Sequence, residues 1–132
     1  MTPPHAPHAP QAPRRALHRP PAITAAILLV AGILIFRFTT GMVRNWLGDV
    51  IVVVFLVAIP AALRIGTARQ RLIGVGLLSA GVEAFQGLGL IPPDAHWLWR
   101  ITVGTTYDPW DLVAYLLGVA VAALAEKSWA DD

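Results

Sequence analysis

The chain has 132 residues, of which 56% are hydrophobic and only 14% are charged. Soluble domains usually carry about 25% charged residues, so this composition indicates one integral membrane domain. Because the chain has no cysteine, disulfides and thiolate chemistry are excluded. A net charge of +2, with the arginines scattered along the chain, excludes nucleic-acid binding as an expected function.

Residues 1–21 form a basic tail rich in proline, alanine and histidine, including the run PPHAPHAPQAP. The run has no apolar period, so we expect it to be disordered or polyproline-like. His5, His8 and His18 are potential metal ligands, but nothing in such a tail fixes their geometry. We therefore predict a solvated tail, no metal site and no cofactor.

Four apolar stretches follow, each close to the roughly 20 residues that a helix needs to cross a bilayer. They have no amphipathic face, and a soluble chain this short would lack the polar surface to cover them. We predict an all-α fold, a four-helix transmembrane bundle over residues 22–126 with a short polar tail at 127–132. The predicted spans are Ala22–Phe38, Trp46–Leu63, Leu72–Ile91 and Trp110–Ala125.

The positions of lysine and arginine predict the orientation of the bundle. With the N-terminus inside, seven of the ten basic residues lie on the cytoplasmic side and the other three outside. This split predicts a multi-pass protein of the plasma (inner) membrane with both termini in the cytoplasm. The outer basic residues are Arg37, Arg44 and Arg100.

The third stretch carries polar residues in the membrane. Ser79, Glu83 and Gln86 are spaced i, i+4 and i+7, so they share one helix face. A charged carboxylate near the bilayer centre costs about 2.5–3.5 kcal/mol, so Glu83 should face the bundle interior. It serves either a function or a hydrogen bond between helices. On the same helix, the small residues Gly76, Ala80 and Ala84 predict close packing, within one chain or in a homodimer.

The second and fourth stretches each place acidic residues near a helix start. In RNWLGDV we expect Asn45 to cap the second helix, Asp49 to lie in its first turn and Arg44 to neutralise Asp49. Pro60 should kink or end this helix. In the fourth stretch, TTYDPWDLVAYLLG predicts Asp108 as N-cap and Pro109 as first helical residue, with Asp111 reaching back to the cap.

Helix capping alone explains both aspartates of the fourth stretch, but Tyr115 lies on the same face as they do. With both termini inside, the starts of helices two and four lie beside the outer half of helix three. We therefore predict an outward-facing polar pocket with Arg44 and Arg100 as its cations. Its candidate residues are Arg44, Asp49, Glu83, Gln86, Arg100, Asp108, Asp111 and Tyr115.

The motifs RNWLGDV (44–50), EAFQ (83–86) and GTTYDPWDLVAYLLG (104–118) resemble the bacterial membrane family named domain of unknown function 2809, over Ala22 to Ala125. The resemblance implies a four-helix integral membrane protein without an established activity. A fainter likeness to VanZ-like envelope proteins rests on Glu83, Gln86, Asp108, Asp111 and Gly118. Tyr115 stands where their pattern has asparagine, and their arginine before the first aspartate is absent.

Three kinds of function remain open. In the first, the pocket binds a membrane lipid or a cell-envelope precursor, and the arginines contact its phosphate. Alternatively, the protein is a VanZ-like enzyme acting on lipid-linked envelope substrates, in which Glu83 carries a proton and Asp111 is its partner. The third is a small proton-coupled transporter, working as a dimer because four short helices enclose little path alone, or a structural membrane subunit.

Overall fold

The computed structural model describes residues 16–90, 94, 96 and 108–130. The described part of the chain contains four α-helices and no strand, which confirms the all-α prediction. The helices are α1 (Arg19–Phe38), α2 (Gly41–Ala62), α3 (Ala68–Gly87) and α4 (Pro109–Ala130).

Three of these helices, α1, α2 and α4, are long and apolar enough to cross a membrane. The 20 residues of α3 span about 30 Å at 1.5 Å per residue, which is also long enough. However, α3 begins with Arg69 and Arg71 and carries Glu83 near its end, so it is less apolar than the others. Its crossing of the membrane stays a prediction.

The starts of α1 and α2 differ from the sequence-based prediction. α1 begins at Arg19, because two prolines suit the first turn of a helix, and so it includes the last residues of the predicted tail. α2 begins at Gly41 after Thr40, so the predicted cap at Asn45 is wrong. Gly41 has a φ of +67°, which permits the tight turn from α1. Asp49 therefore lies about two turns inside α2, not in its first turn.

α2 is the central helix and contacts the other three, whereas α4 packs on α2 and α3, and α1 packs mainly on α2. Pro60 lies in the last turn of α2, which ends at Ala62, as predicted. The buried core is built mainly from small and β-branched side chains of α2 together with residues of α3 and α4. Its members include Val53, Val57, Ala58, Val75, Ala122 and Trp129.

A small-residue row on α4 packs tightly against α2, in contrast to the predicted row on α3. Ala114, Gly118 and Ala122 are buried at i, i+4 and i+8, and Gly118 lies directly against Val53 of α2. By contrast, Ala80 and Ala84 are exposed. The α3 row therefore does not pack within the chain at these positions, and its pairing with a second copy stays a prediction.

One end of the bundle, which we call the ion-pair end, is held by charged groups. Arg71 Nε and Nη2 bind Glu126 Oε1 and Oε2 at 2.6 and 2.7 Å, joining α3 to α4. Arg71 Nη1 also donates to the carbonyl oxygens of Ile65 and Gly66 in the α2–α3 loop. The backbone N–H of His18 donates to the carbonyl oxygen of Ala62 at 2.9 Å. The start of α1 and the end of α4 therefore lie at the same end of the bundle.

Candidate functional site

Polar side chains from three helices lie near the opposite end, where α3 ends and α4 begins. We call these five residues the polar cluster: Asp49 of α2, Glu83 and Gln86 of α3, and Asp111 and Tyr115 of α4. The carboxyl groups of Asp49, Glu83 and Asp111 are close enough to interact electrostatically with one another and with Tyr115. Of the eight residues in the predicted pocket, five are brought together by mutual interactions: these four and Asp108, whose backbone N–H binds Glu83.

The side chains of Asp49 and Asp111 lie within hydrogen-bonding reach of each other. Two ionised carboxylates are acceptors only, so a hydrogen bond between them requires a proton on one of the two groups. The pair connects the middle of α2 to the first turn of α4.

Glu83 is the largest of the fully buried side chains within the described residues, with 2% of its surface exposed. Its Oε1 accepts a hydrogen bond from the backbone N–H of Asp108 at 3.3 Å. Its Oε2 is buried and has no partner within the described residues, and the same holds for the buried Oε1 of Gln86. These two acceptors lie one turn apart on α3, and neither has a donor in the described part of the chain.

The start of α4 confirms one predicted cap and corrects the other. Asp108 Oδ1 accepts from the backbone N–H of Trp110 at 3.0 Å, as an N-cap does. Asp111 was expected to accept the backbone N–H of Asp108, but that prediction is wrong. Glu83 from α3 takes this N–H, which leaves the Asp111 carboxyl free to approach Asp49.

Of the two predicted cations, Arg44 and Arg100, the structure describes only Arg44. The guanidinium of Arg44 lies over the ring of Phe36 in α1, 5.4 Å from its centroid, and pairs with no carboxylate among the described residues. Arg44 precedes Asp49 by five positions, a spacing that places their side chains about 140° apart around the helix axis. Arg44 therefore does not neutralise Asp49. Arg100 lies outside the described residues, as do His5 and His8.

An aromatic pair next to the cluster was missed by sequence reasoning. The rings of Trp46 and Trp110 lie 6.3 Å apart between centroids, tilted by 38°. Trp46 is one turn before Asp49, and Trp110 directly precedes Asp111. The signal for this pair in the sequence is that each of the two aspartates has a tryptophan within one helical turn before it. In the described part of the chain, no group of three or more histidine, aspartate or glutamate side chains could hold a metal ion.

Comparison with known proteins identifies one family. The family model described as "Protein of unknown function (DUF2809)" matches residues 38–119, a range that includes the whole polar cluster. No curated protein and no solved structure gives a significant match. The match covers well over half of the chain and confirms the resemblance carried by the three motifs. The chain therefore belongs to the DUF2809 family of proteins of unknown function.

Proposed function

We propose that this protein is a multi-pass membrane protein whose polar cluster binds the headgroup of a membrane lipid or of a lipid-linked cell-envelope precursor. The observation that carries the proposal is Glu83 Oε2, a buried carboxyl oxygen without a partner at the junction of α3 and α4. A buried polar group without a hydrogen bond costs about 1–3 kcal/mol, and more when it is charged. A bound ligand that donates to this oxygen removes that cost.

The helix lengths support access from the end of the bundle where the cluster lies. α4 begins only two residues before Asp111, whereas α2 starts eight residues before Asp49, about 12 Å further along the axis. At this end of the bundle α2 therefore extends further than α4, and the cluster lies near the level at which α4 begins. Arg44 lies about 7.5 Å along the axis of α2 from Asp49, toward the same end of the bundle. There it is suited to bind a lipid phosphate. With both termini in the cytoplasm, this end faces outside.

A second candidate is acid–base chemistry, which the proximity of the Asp49 and Asp111 carboxyl groups favours. Paired carboxyl groups act as proton donor and acceptor in enzymes, and they also carry protons in membrane transporters. In a VanZ-like enzyme, Glu83 would be the proton carrier with Asp111 as its partner. A double variant, Glu83→Gln with Asp111→Asn, that fully complements a deletion phenotype would eliminate both proton-dependent functions.

The binding proposal predicts that a specific lipid co-purifies with the wild-type protein and is lost from Glu83→Gln. Glutamine keeps an oxygen that can accept from the backbone N–H of Asp108, so the start of α4 is preserved. It replaces the unpartnered oxygen with a donor group that repels a donor on the ligand. Native mass spectrometry of the purified protein in mild detergent measures the bound lipid.

Glu126→Gln is the matched control, because Glu126 is also buried, with 6% of its surface exposed, but lies at the ion-pair end. It should retain the lipid even if its thermal stability falls. Only bulk phospholipid, present equally in wild type and Glu83→Gln, would leave Glu83 with the structural role of joining α3 to α4. The lipid-binding proposal would then be abandoned.

A further inference from the structure

We infer that the polar cluster recognises a primary ammonium group on its ligand, an inference that rests on the proposed headgroup site. The unpartnered atoms of the cluster are acceptors, the neighbouring carboxyl groups are acidic, and an aromatic pair lies beside them. A protonated amine is the one common headgroup chemistry that combines N–H donors with a positive charge. The ligand class is therefore an amine-bearing lipid headgroup or a free amine of the same kind.

The hydrogen-bonding capacity of the cluster supplies the first argument. Glu83 Oε2 and Gln86 Oε1 are both acceptors, and neither has a donor among the described residues. A phosphate or a quaternary ammonium group offers no N–H or O–H to either atom. A primary ammonium group has three donors, enough to reach both atoms at once. Because Glu83 is nine-tenths buried or more and its Oε2 has no donor among the described residues, a donor group that enters the cluster would satisfy it.

The charge of the cluster supplies the second argument. Asp49, Glu83 and Asp111 lie close enough to repel one another when ionised. Neither Arg44 nor Arg71 pairs with any of these three carboxyl groups. Arg44 is over Phe36, and Arg71 is paired with Glu126 at the ion-pair end. A positively charged donor is therefore favoured over a neutral hydroxyl group.

The aromatic pair supplies the third argument. Trp46 and Trp110 flank Asp49 and Asp111 along the chain, and their rings contact each other across α2 and α4. Ammonium groups bind tryptophan faces with about 0.5–2 kcal/mol, and more strongly where water is excluded. Carboxyl groups beside tryptophan rings thus form a suitable environment for a cationic amine.

The test compares three short-chain lipids with identical acyl chains, added to the full-length protein in detergent: phosphatidylethanolamine, phosphatidylcholine and phosphatidylglycerol. We expect phosphatidylethanolamine to bind at least about tenfold more tightly than the other two, by native mass spectrometry. The preference should disappear in Glu83→Gln and in Gln86→Met, which keeps the side-chain length but removes the acceptor. Glu126→Gln should retain it. Gln86→Met keeps the test decisive if Glu83→Gln does not fold.

The outcomes separate the ammonium inference from the lipid site itself. Equal affinities for the three lipids, lost in Glu83→Gln, would overturn the ammonium inference and leave the lipid site standing. Affinities unaffected by either variant would overturn both. Free ethanolamine at millimolar concentration distinguishes the source of the amine. If free ethanolamine displaces phosphatidylethanolamine, the amine alone is recognised. If it does not, while the preference for phosphatidylethanolamine persists, the acyl chains are also required. Both results support the ammonium inference.

Discussion

Replacing Arg71 with leucine should lower the free energy of unfolding by about 3–5 kcal/mol, because it leaves the buried Glu126 carboxylate without its partner. Arg71 holds Glu126 through two bonds of 2.6 and 2.7 Å. It also donates to the Ile65 and Gly66 carbonyl oxygens, so the α2–α3 loop loses support as well. Unfolding of the purified protein by sodium dodecyl sulfate in mixed micelles measures the change.

Arg69→Leu is the matched control for Arg71→Leu, because Arg69 lies in the same turn of α3 but is exposed. Its effect should stay within about 0.5 kcal/mol. The double variant Arg71→Leu with Glu126→Leu should lose much less stability than the sum of the two single variants, since no buried charge is left unpaired. Simple additivity would show that the two groups do not stabilise the bundle as a pair.

Adding a single methyl group at Gly118 should separate α2 from α4. A Cβ atom there would lie 2.7 Å from Val53 Cβ and 3.3 Å from Val50 Cα. Backbone and near-backbone atoms cannot move aside as a flexible side chain can, so Gly118→Ala should cost about 1–3 kcal/mol or more. Because Asp49 lies one turn from Val53, the same variant should disturb the Asp49–Asp111 contact and lower lipid retention. Thermal unfolding and native mass spectrometry measure the two effects.

The control for Gly118→Ala is Gly76→Ala, whose added Cβ would lie 4.0 Å from Val119 Cγ2, an ordinary contact distance. It should be neutral or stabilising by up to about 1 kcal/mol. Val53→Ala retains the Cβ atom that clashes and should not rescue Gly118→Ala, whereas Val53→Gly should rescue it in part. Equal stability of Gly118→Ala and the wild-type protein would contradict the close packing of α2 on α4.

The convergence of polar residues was predictable because polar side chains in a membrane-spanning helix are costly to expose to lipid. Asp49, Glu83, Asp111 and Tyr115 come from three separate stretches, and each avoids lipid by facing the other helices. The cap at Asp108 was predictable for a local reason, since Asp-Pro before an apolar run is typical of a helix start. Both inferences need only spacing along one helix and the cost of exposing polar atoms to lipid.

The packing faces could not be predicted in the same way, because the spans are apolar on all sides. The sequence contains small-residue rows on both α3 and α4, and only the partner helix decides which row is buried. The pairing of Arg71 with Glu126 was missed because basic residues near helix ends were interpreted as orientation signals. The capping of α4 by Glu83 joins residues 25 positions apart, which no local pattern indicates.

Single-cysteine accessibility most directly tests a membrane-crossing bundle whose polar cluster faces outside, and the chain has no native cysteine to interfere. Thr40, Ile65 and Leu90 are exposed residues at the α1–α2 turn, the α2–α3 loop and just beyond α3. In intact cells, a membrane-impermeant maleimide should label Thr40→Cys and Leu90→Cys, and should label Ile65→Cys only after permeabilisation. Labelling of Ile65→Cys alone in intact cells would place the cluster on the cytoplasmic side, and labelling of all three would show that α2 and α3 do not cross the membrane.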